Sequence, residues 1–204
     1  MSWTDYSLVD LVMFAPSTYV RMFALTNAAW WPVSALLGGA LVITVMLAWR
    51  EVGGERTGRA WARVGVGLAG LAMLNSAVVF LAGRFAAIFN GGEIAAWVYA
   101  IGGSGLLVAA LMTRAEAVSP VAPAARHLGA LLVVYGLFLH PWVSVLMGRP
   151  VGAGEWFALA PDPTAVVALG TLALAGQRGR IGLAAVPAAW LLFSFLLHLG
   201  MAQV

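Results

Sequence analysis

A bundle of six membrane-crossing α-helices is the fold this sequence predicts, with both termini on the outer side and a short amphipathic N-terminal segment lying on the outer face. Three observations carry that reading. Of the 204 residues, 62% are apolar and only 9% are charged, which leaves too few polar side chains to coat a water-soluble core. Five uncharged windows reach the roughly 20 residues that a helix needs to cross about 30 Å of hydrocarbon. The eleven basic residues are all arginine and crowd into alternate connections, as short cytoplasmic loops require.

The first segment, residues 1–27, mixes aromatic and aliphatic bulk with Asp5 and Asp10 and is punctuated at Pro16. That pattern predicts short helices lying in an interface rather than a span. It lacks a basic stretch followed by an apolar run and a small-residue cleavage site, so a cleaved signal peptide is not expected. From residue 28 to 204 the chain reads as a single transmembrane domain, with spans at approximately 30–49, 64–83, 94–113, 128–147, 160–176 and 181–200. The windows Trp30–Trp49, Val64–Gly83, Ile94–Thr113, Leu128–Met147 and Ile181–Gly200 contain no Asp, Glu or Arg. The fifth span is different. Thr164–Gly176 alone would cover only about 20 Å, and Asp162 followed by Pro163 predicts a helix start there, with the aspartate capping free N–H groups.

Orientation follows from the arginines. Arg50, Arg56, Arg59, Arg63, Arg114, Arg126, Arg178 and Arg180 fall in the first, third and fifth connections, against Arg21, Arg84 and Arg149 elsewhere. The first set is therefore expected inside. Asp5, Asp10, Glu93, Glu155 and Asp162 then lie outside, and most tryptophans sit near a boundary, Trp190 alone being mid-span. Phe23, Phe89 and Phe157 each open an out-in-out hairpin, a spacing that suggests a threefold αα-hairpin repeat. Gly38 and Gly39, Gly65 with Ala69, Gly102 and Gly103, Gly105 with Ala109, and Ala185 with Ala189 mark close helix contacts, either inside the bundle or between chains of a homo- or hetero-oligomer.

Several chemistries are excluded or unsupported. Without cysteine there are no disulfides, thiolate metal sites, iron–sulfur clusters or thiol nucleophiles. No phosphate-binding loop, nucleophile elbow, His-Glu-x-x-His pair or dinucleotide fingerprint is present, so no catalytic residue is assigned and an enzyme is not expected. The charge distribution gives no nucleic-acid patch, and the lipid bilayer is the expected partner.

Polar groups inside apolar spans are functional candidates because they are costly there. His140 precedes Pro141, which cannot donate to the Leu137 carbonyl. Asp162 lies in the proline-flanked run Ala160-Pro161-Asp162-Pro163-Thr164, at the head of a span too short for the membrane, a pattern that points to a binding cavity. Asp162, His140, Asn75 and Glu93 are the expected substrate contacts. His140, His198 and Asp162 are the candidate metal ligands. With Glu155 these residues would form an acidic, imidazole-bearing outer vestibule suited to a cation. His127, beside Arg126, reads as an interfacial residue. No cofactor is identified from a motif. A metal cation, or haem held by His140 and His198, is the cofactor that the histidines would allow.

Phe14-Ala15-Pro16-Ser17-Thr18-Tyr19, Asn27-Ala28-Ala29-Trp30-Trp31-Pro32 and Phe157-Ala158-Leu159-Ala160-Pro161-Asp162-Pro163-Thr164 resemble a family of uncharacterised bacterial polytopic integral membrane proteins, over nearly the full chain. Its members form a domain of unknown function, sometimes labelled permease. The resemblance implies a multi-pass protein of the bacterial inner membrane and supplies no site residue. The expected function is a small transporter or permease-like protein with its site among the fourth, fifth and sixth spans. The alternatives are a non-catalytic subunit or assembly factor of a larger membrane complex, and a metal- or haem-binding redox protein using His140 and His198.

Overall fold

The computed structural model describes residue 12 and residues 14–50, 56–112, 121–176 and 180–203. Among these the chain is all helical, with no strand. Helix α1 spans Pro16–Arg50. Helix α2 spans Arg56–Ser76 and widens into a π turn at Ala77–Ala82. Helix α3 spans Gly92–Met112. Helix α4, Pro123–Val134, passes through a second π turn at Tyr135–Leu139 into α5, His140–Leu146. Helix α6 spans Pro161–Ala175 and α7 spans Arg180–Met201. Five helical stretches are long and apolar enough to cross a membrane: Pro16–Arg50, Gly58–Ala87, Gly92–Met112, Pro123–Leu146 and Ile181–Met201.

Helix α1 corrects the expected boundary. The span expected to begin at Trp30 belongs to a helix that starts at Pro16. Proline suits a first helical turn, and Tyr19, Met22, Phe23 and Thr26 follow at helical spacing and are all buried. Residues 16–27 are therefore the opening turns of a helix about 52 Å long rather than a separate interfacial piece. The rest of the expected N-terminal segment, residues 1–11 and 13, lies outside the described residues.

Helix α6 is the central element. It packs against α2, α4 and α7, and eleven of its fifteen residues are buried. Its apolar residues run all round, as expected of a helix enclosed by others. At 15 residues it is about 22 Å long. It ends at Gly176, whose φ of 58° places it in the left-handed region that favours glycine. Around α6 the exterior is apolar: Leu36, Ile101 and Leu131 are 73%, 66% and 66% exposed.

The threefold hairpin repeat does not appear in the packing. Helix α3 packs on α2 and α7, whereas α4 packs on α6, so the second hairpin does not form a paired unit. Contiguity in sequence fixed only the alternation of direction, and side-chain size decided which helices approach. Two glycine pairs make the closest crossings. A Cβ on Gly70 would stand 2.7 Å from the Gly103 carbonyl oxygen, and one on Gly129 would stand 2.7 Å from that of Gly170. These seams let α2 meet α3 and α4 meet α6 at backbone distance.

Gly170→Ala puts a Cβ 2.8 Å from the Gly129 oxygen and 2.9 Å from Val133 Cγ2, and is expected to destabilise the protein by about 1–3 kcal/mol. Gly39→Ala, with nothing within 4 Å, should leave it unchanged. Thermal unfolding of the two variants in one detergent checks the difference.

Candidate functional site

The site is organised by the irregular segment between α5 and α6. After a 3-10 turn at Val151–Ala153 the chain makes a buried turn over Trp156–Ala160, in which Ala158 takes a left-handed φ of 65°. A non-glycine residue there is strained and must be held by its surroundings. The holding groups are side chains from four helices. Asn27 Nδ2 donates to the carbonyls of Gly152 (2.9 Å) and Gly154 (2.8 Å). Ser34 donates to Phe157 O at 2.7 Å, Asn75 to Ala158 O at 2.9 Å and Ser76 to Leu159 O at 3.3 Å. Thr164 donates to Ala160 O and Tyr99 to Pro161 O, each at 2.6 Å. Thr164 Oγ1 also accepts the Ala158 N–H at 2.8 Å. Five consecutive carbonyls, from Phe157 to Pro161, thus each receive a side-chain donor.

This arrangement corrects the expected start of α6. The helix begins at Pro161 rather than Pro163, two residues early, and Asp162 sits in its first turn. Asp162 caps nothing, because its carboxylate turns sideways to α7. Trp190 Nε1 donates to Oδ1 at 2.7 Å and Ser194 Oγ makes a short hydrogen bond to Oδ2.

Next to Asp162 stands a second buried carboxylate. Glu155 Oε2 is 3.1 Å from His140 Nε2, and Oε1 is 2.6 Å from Arg149 Nη1. Glu155 and Asp162 are 4% and 8% exposed. Burial alone would raise the pKa of Glu155, but the His140 hydrogen bond and the Arg149 guanidinium outweigh it and hold the carboxyl below its usual range. His140 is brought here by the π turn, which absorbs the bond that Pro141 cannot make. Gly136 lies in that turn, and a Cβ on it would be 2.8 Å from Pro163 O. The π turn is therefore pressed onto the head of α6. His198 completes the group, with Nδ1 2.8 Å from the Ser194 carbonyl oxygen and 3.3 Å from Ser194 Oγ.

These side chains line a cavity of about 260 Å³ between α5 and α7. One ligand atom from each of His140, Glu155 and Asp162 lies within 4.8 Å of the others. The opening turns of α1 close over this end. Tyr19 packs against Phe23 at 5.0 Å and against the His198 ring at 5.9 Å, and the Arg149 guanidinium is 6.0 Å from the Tyr19 ring and 5.8 Å from that of Phe23.

Of the residues expected from the sequence, His140, Asp162 and His198 line one cavity, joined by Glu155. Asn75 does not line it and instead holds the Ala158 carbonyl. Glu93 is exposed in the first turn of α3, away from the cavity. Its place just before an apolar run made it look like part of the vestibule, but α3 packs on α2 and α7 rather than on α5. His127 sits at the opposite end of the bundle against Trp49, over which Arg126 also stacks at 4.4 Å. Arg149, Ser194 and Trp190 were not among the expected site residues. The signal for Trp190 was its isolation from the boundary tryptophans. The volume falls below the roughly 300–1,000 Å³ of sites that take drug-sized ligands. It suits a small cation better than a macrocycle, and the haem reading gains no support from it.

The family model for DUF6064, a family of unknown function, matches residues 17–202. This chain belongs to the DUF6064 family. No curated protein and no solved structure matches it. Every residue of the cavity and of the capped segment lies inside the DUF6064 match.

Tyr99→Phe removes the donor to the Pro161 carbonyl with almost no change in shape. It should cost about 0.5–1.5 kcal/mol, the net worth of one hydrogen bond, because the Pro161 carbonyl keeps its partner within α6. Chemical or thermal unfolding against the parent protein measures it, and an unchanged midpoint would show that the Tyr99 bond adds nothing to the helical one.

Proposed function

We propose that this DUF6064 chain is a multi-pass protein of the bacterial inner membrane, with α1, α2, α3, α4–α5, α6 and α7 forming six spans and both termini outside. Its function is that of a small permease-like protein that takes a cationic solute or ion into the cavity from the outer side. The lipid assignment is supported by five apolar helices of sufficient length and by exposed leucine and isoleucine around the bundle. The orientation is supported by the arginine asymmetry, with the cavity at the arginine-poor end.

One observation carries the transport reading. A helix of 15 residues is too short to cross by itself, and the gap at its head is filled by irregular backbone that meets an open cavity bearing two buried carboxylates. In hydrocarbon, non-helical backbone is tolerated only where protein or a water-filled cavity satisfies it. Broken or shortened helices near a polar site are the usual construction of transporter binding sites. Ionisable residues facing inward at such a place mark a solute or ion pathway.

A second reading, a non-catalytic subunit or assembly factor, is favoured by a separate feature. A mostly apolar groove of about 710 Å³ lies between α1 and the π turn ahead of α5, bounded by Trp31, Gly38, Ile43 and Phe138. It could seat an apolar helix of a partner. A single species the size of one chain or a homodimer after gentle extraction would remove this reading.

Because the chain has no cysteine, single introduced cysteines report topology without background. Gln203→Cys in intact cells should react with a membrane-impermeant maleimide, and Ala124→Cys should react only after permeabilisation. The reverse pattern would put the cavity on the cytosolic side and remove the proposed direction of access.

For transport, proteoliposomes are loaded with a proton indicator or a divalent-cation indicator and given an inward gradient. Flux above that of empty liposomes is expected with the parent protein and with Glu93→Gln. Asp162→Asn and His140→Ala should each lower it tenfold or more. No flux with either indicator, or equal flux in all four proteins, would overturn the permease reading.

A further inference from the structure

The cavity holds a donor set that goes beyond a generic polar site. His140 is at the head of α5, Glu155 in the connecting segment and Asp162 in the first turn of α6. One imidazole and two carboxylates, drawn from three separate elements, converge with their ligand atoms within 4.8 Å. The geometry points to a coordination site for a borderline divalent cation of the zinc type, with Arg149 acting as a tethered cation that occupies the site until the metal displaces it. This rests on reading the cavity as the solute site of the proposed permease, and it names the class of solute.

The chemistry of the donors narrows the choice of ion. The 3.1 Å between His140 Nε2 and Glu155 Oε2 is close to the roughly 3.3 Å edge of a tetrahedron with metal–ligand bonds of about 2.0–2.1 Å. Three protein ligands leave a fourth position for water, the pattern of an exchangeable rather than a purely structural site. Calcium prefers six to eight oxygens, and Glu155 and Asp162 supply four at most, two of them already bonded to Trp190 and Ser194. Those two donors fix the Asp162 carboxylate in the way that neighbours of metal ligands usually do.

The charges supply the role of Arg149. Of the two buried carboxylates, Glu155 is paired with the Arg149 guanidinium, which forms no ion pair with Asp162 among the described residues. A divalent cation matches the two carboxylates, and Arg149 then becomes surplus. Its side chain is 18% exposed, and the faces of Tyr19 and Phe23 lie about 6 Å from the guanidinium. The arginine can therefore leave Glu155 for the aromatic lid without being stranded in an apolar core.

Equilibrium dialysis of the full chain in detergent micelles against zinc, followed by metal analysis, tests this. One zinc per chain is expected, persisting in excess calcium or magnesium. His140→Ala or Asp162→Asn should weaken binding tenfold or more. Arg149→Gln should tighten it by about the same factor, a gain that damage to the fold does not produce. Zinc should also raise the unfolding temperature of the parent protein, so the test does not depend on any variant folding. The absence of saturable zinc binding, equal binding by folded His140→Ala and Asp162→Asn, or weaker binding by a folded Arg149→Gln would each overturn the proposal. Cation or proton flux without zinc binding would leave the permease standing and remove the metal, whereas zinc binding without flux would do the opposite.

Discussion

Everything at the cavity end depends on one constraint: the backbone from Gly154 to Ala160 is neither helix nor strand, so most of its carbonyls must find donors elsewhere. Asn27, Ser34, Asn75, Ser76 and Thr164 supply them, and Tyr99 adds one to Pro161. An unpaired buried carbonyl costs about 1–3 kcal/mol, so leaving those of Gly154, Phe157, Ala158 and Leu159 bare would cost as much as the whole stability of many domains. The same bonds fix where α6 begins. They hold Ala158 at a φ that alanine avoids, and they tie the head of α6 to α1, α2 and α3 together.

That constraint also accounts for the helix lengths. Because the segment already fills the space above it, α6 can be 15 residues long and still occupy the centre of the bundle. Asp162 enters at the end of the short helix, where Trp190 and Ser194 of α7 are within reach. His140 arrives from the other side, because Pro141 and the preceding π turn bend the α4–α5 rod against Pro163. Glu155 belongs to the segment itself. The three groups therefore meet as a consequence of how one irregular stretch is accommodated.

Much of the fold was legible in the sequence, since apolar run length reports helices directly. The stretches around 30–49, 64–83, 94–113, 128–147 and 181–200 all fall in helices long enough to cross a membrane, and the short span ahead of Gly176 is short in the structure too. What could not be read is neighbour choice, which depends on backbone approach at Gly70–Gly103 and Gly129–Gly170 rather than on order along the chain. The same limit applies to the site. His140, His198 and Asp162 stood out as polar residues in apolar surroundings, and they do share a cavity. Asn75 and Glu93 stood out for the same reason, yet one holds a carbonyl and the other is exposed. Polarity in an apolar run marks a residue that must be satisfied, and only the packing tells whether backbone, solvent or a ligand satisfies it. Arg149 shows the converse. It was counted merely as one of three arginines on the sparse side, because nothing in its local sequence links it to Glu155.

The carboxylates are hard to explain as stabilising elements. A buried ion pair is weak support for a fold, since desolvation offsets most of the attraction and well-packed apolar residues often do as well or better. The seven capped carbonyls already fix this end of the bundle, and the aromatic group around Tyr19, Phe23, Phe80 and Phe85 already packs it. Neither needs Glu155 or Asp162. A chain in which only 9% of residues are charged nevertheless places two acids, an arginine and two histidines around one small cavity. Structural economy would have left those positions apolar, and this excess of charge over what the fold needs is what supports the proposal of a binding site there.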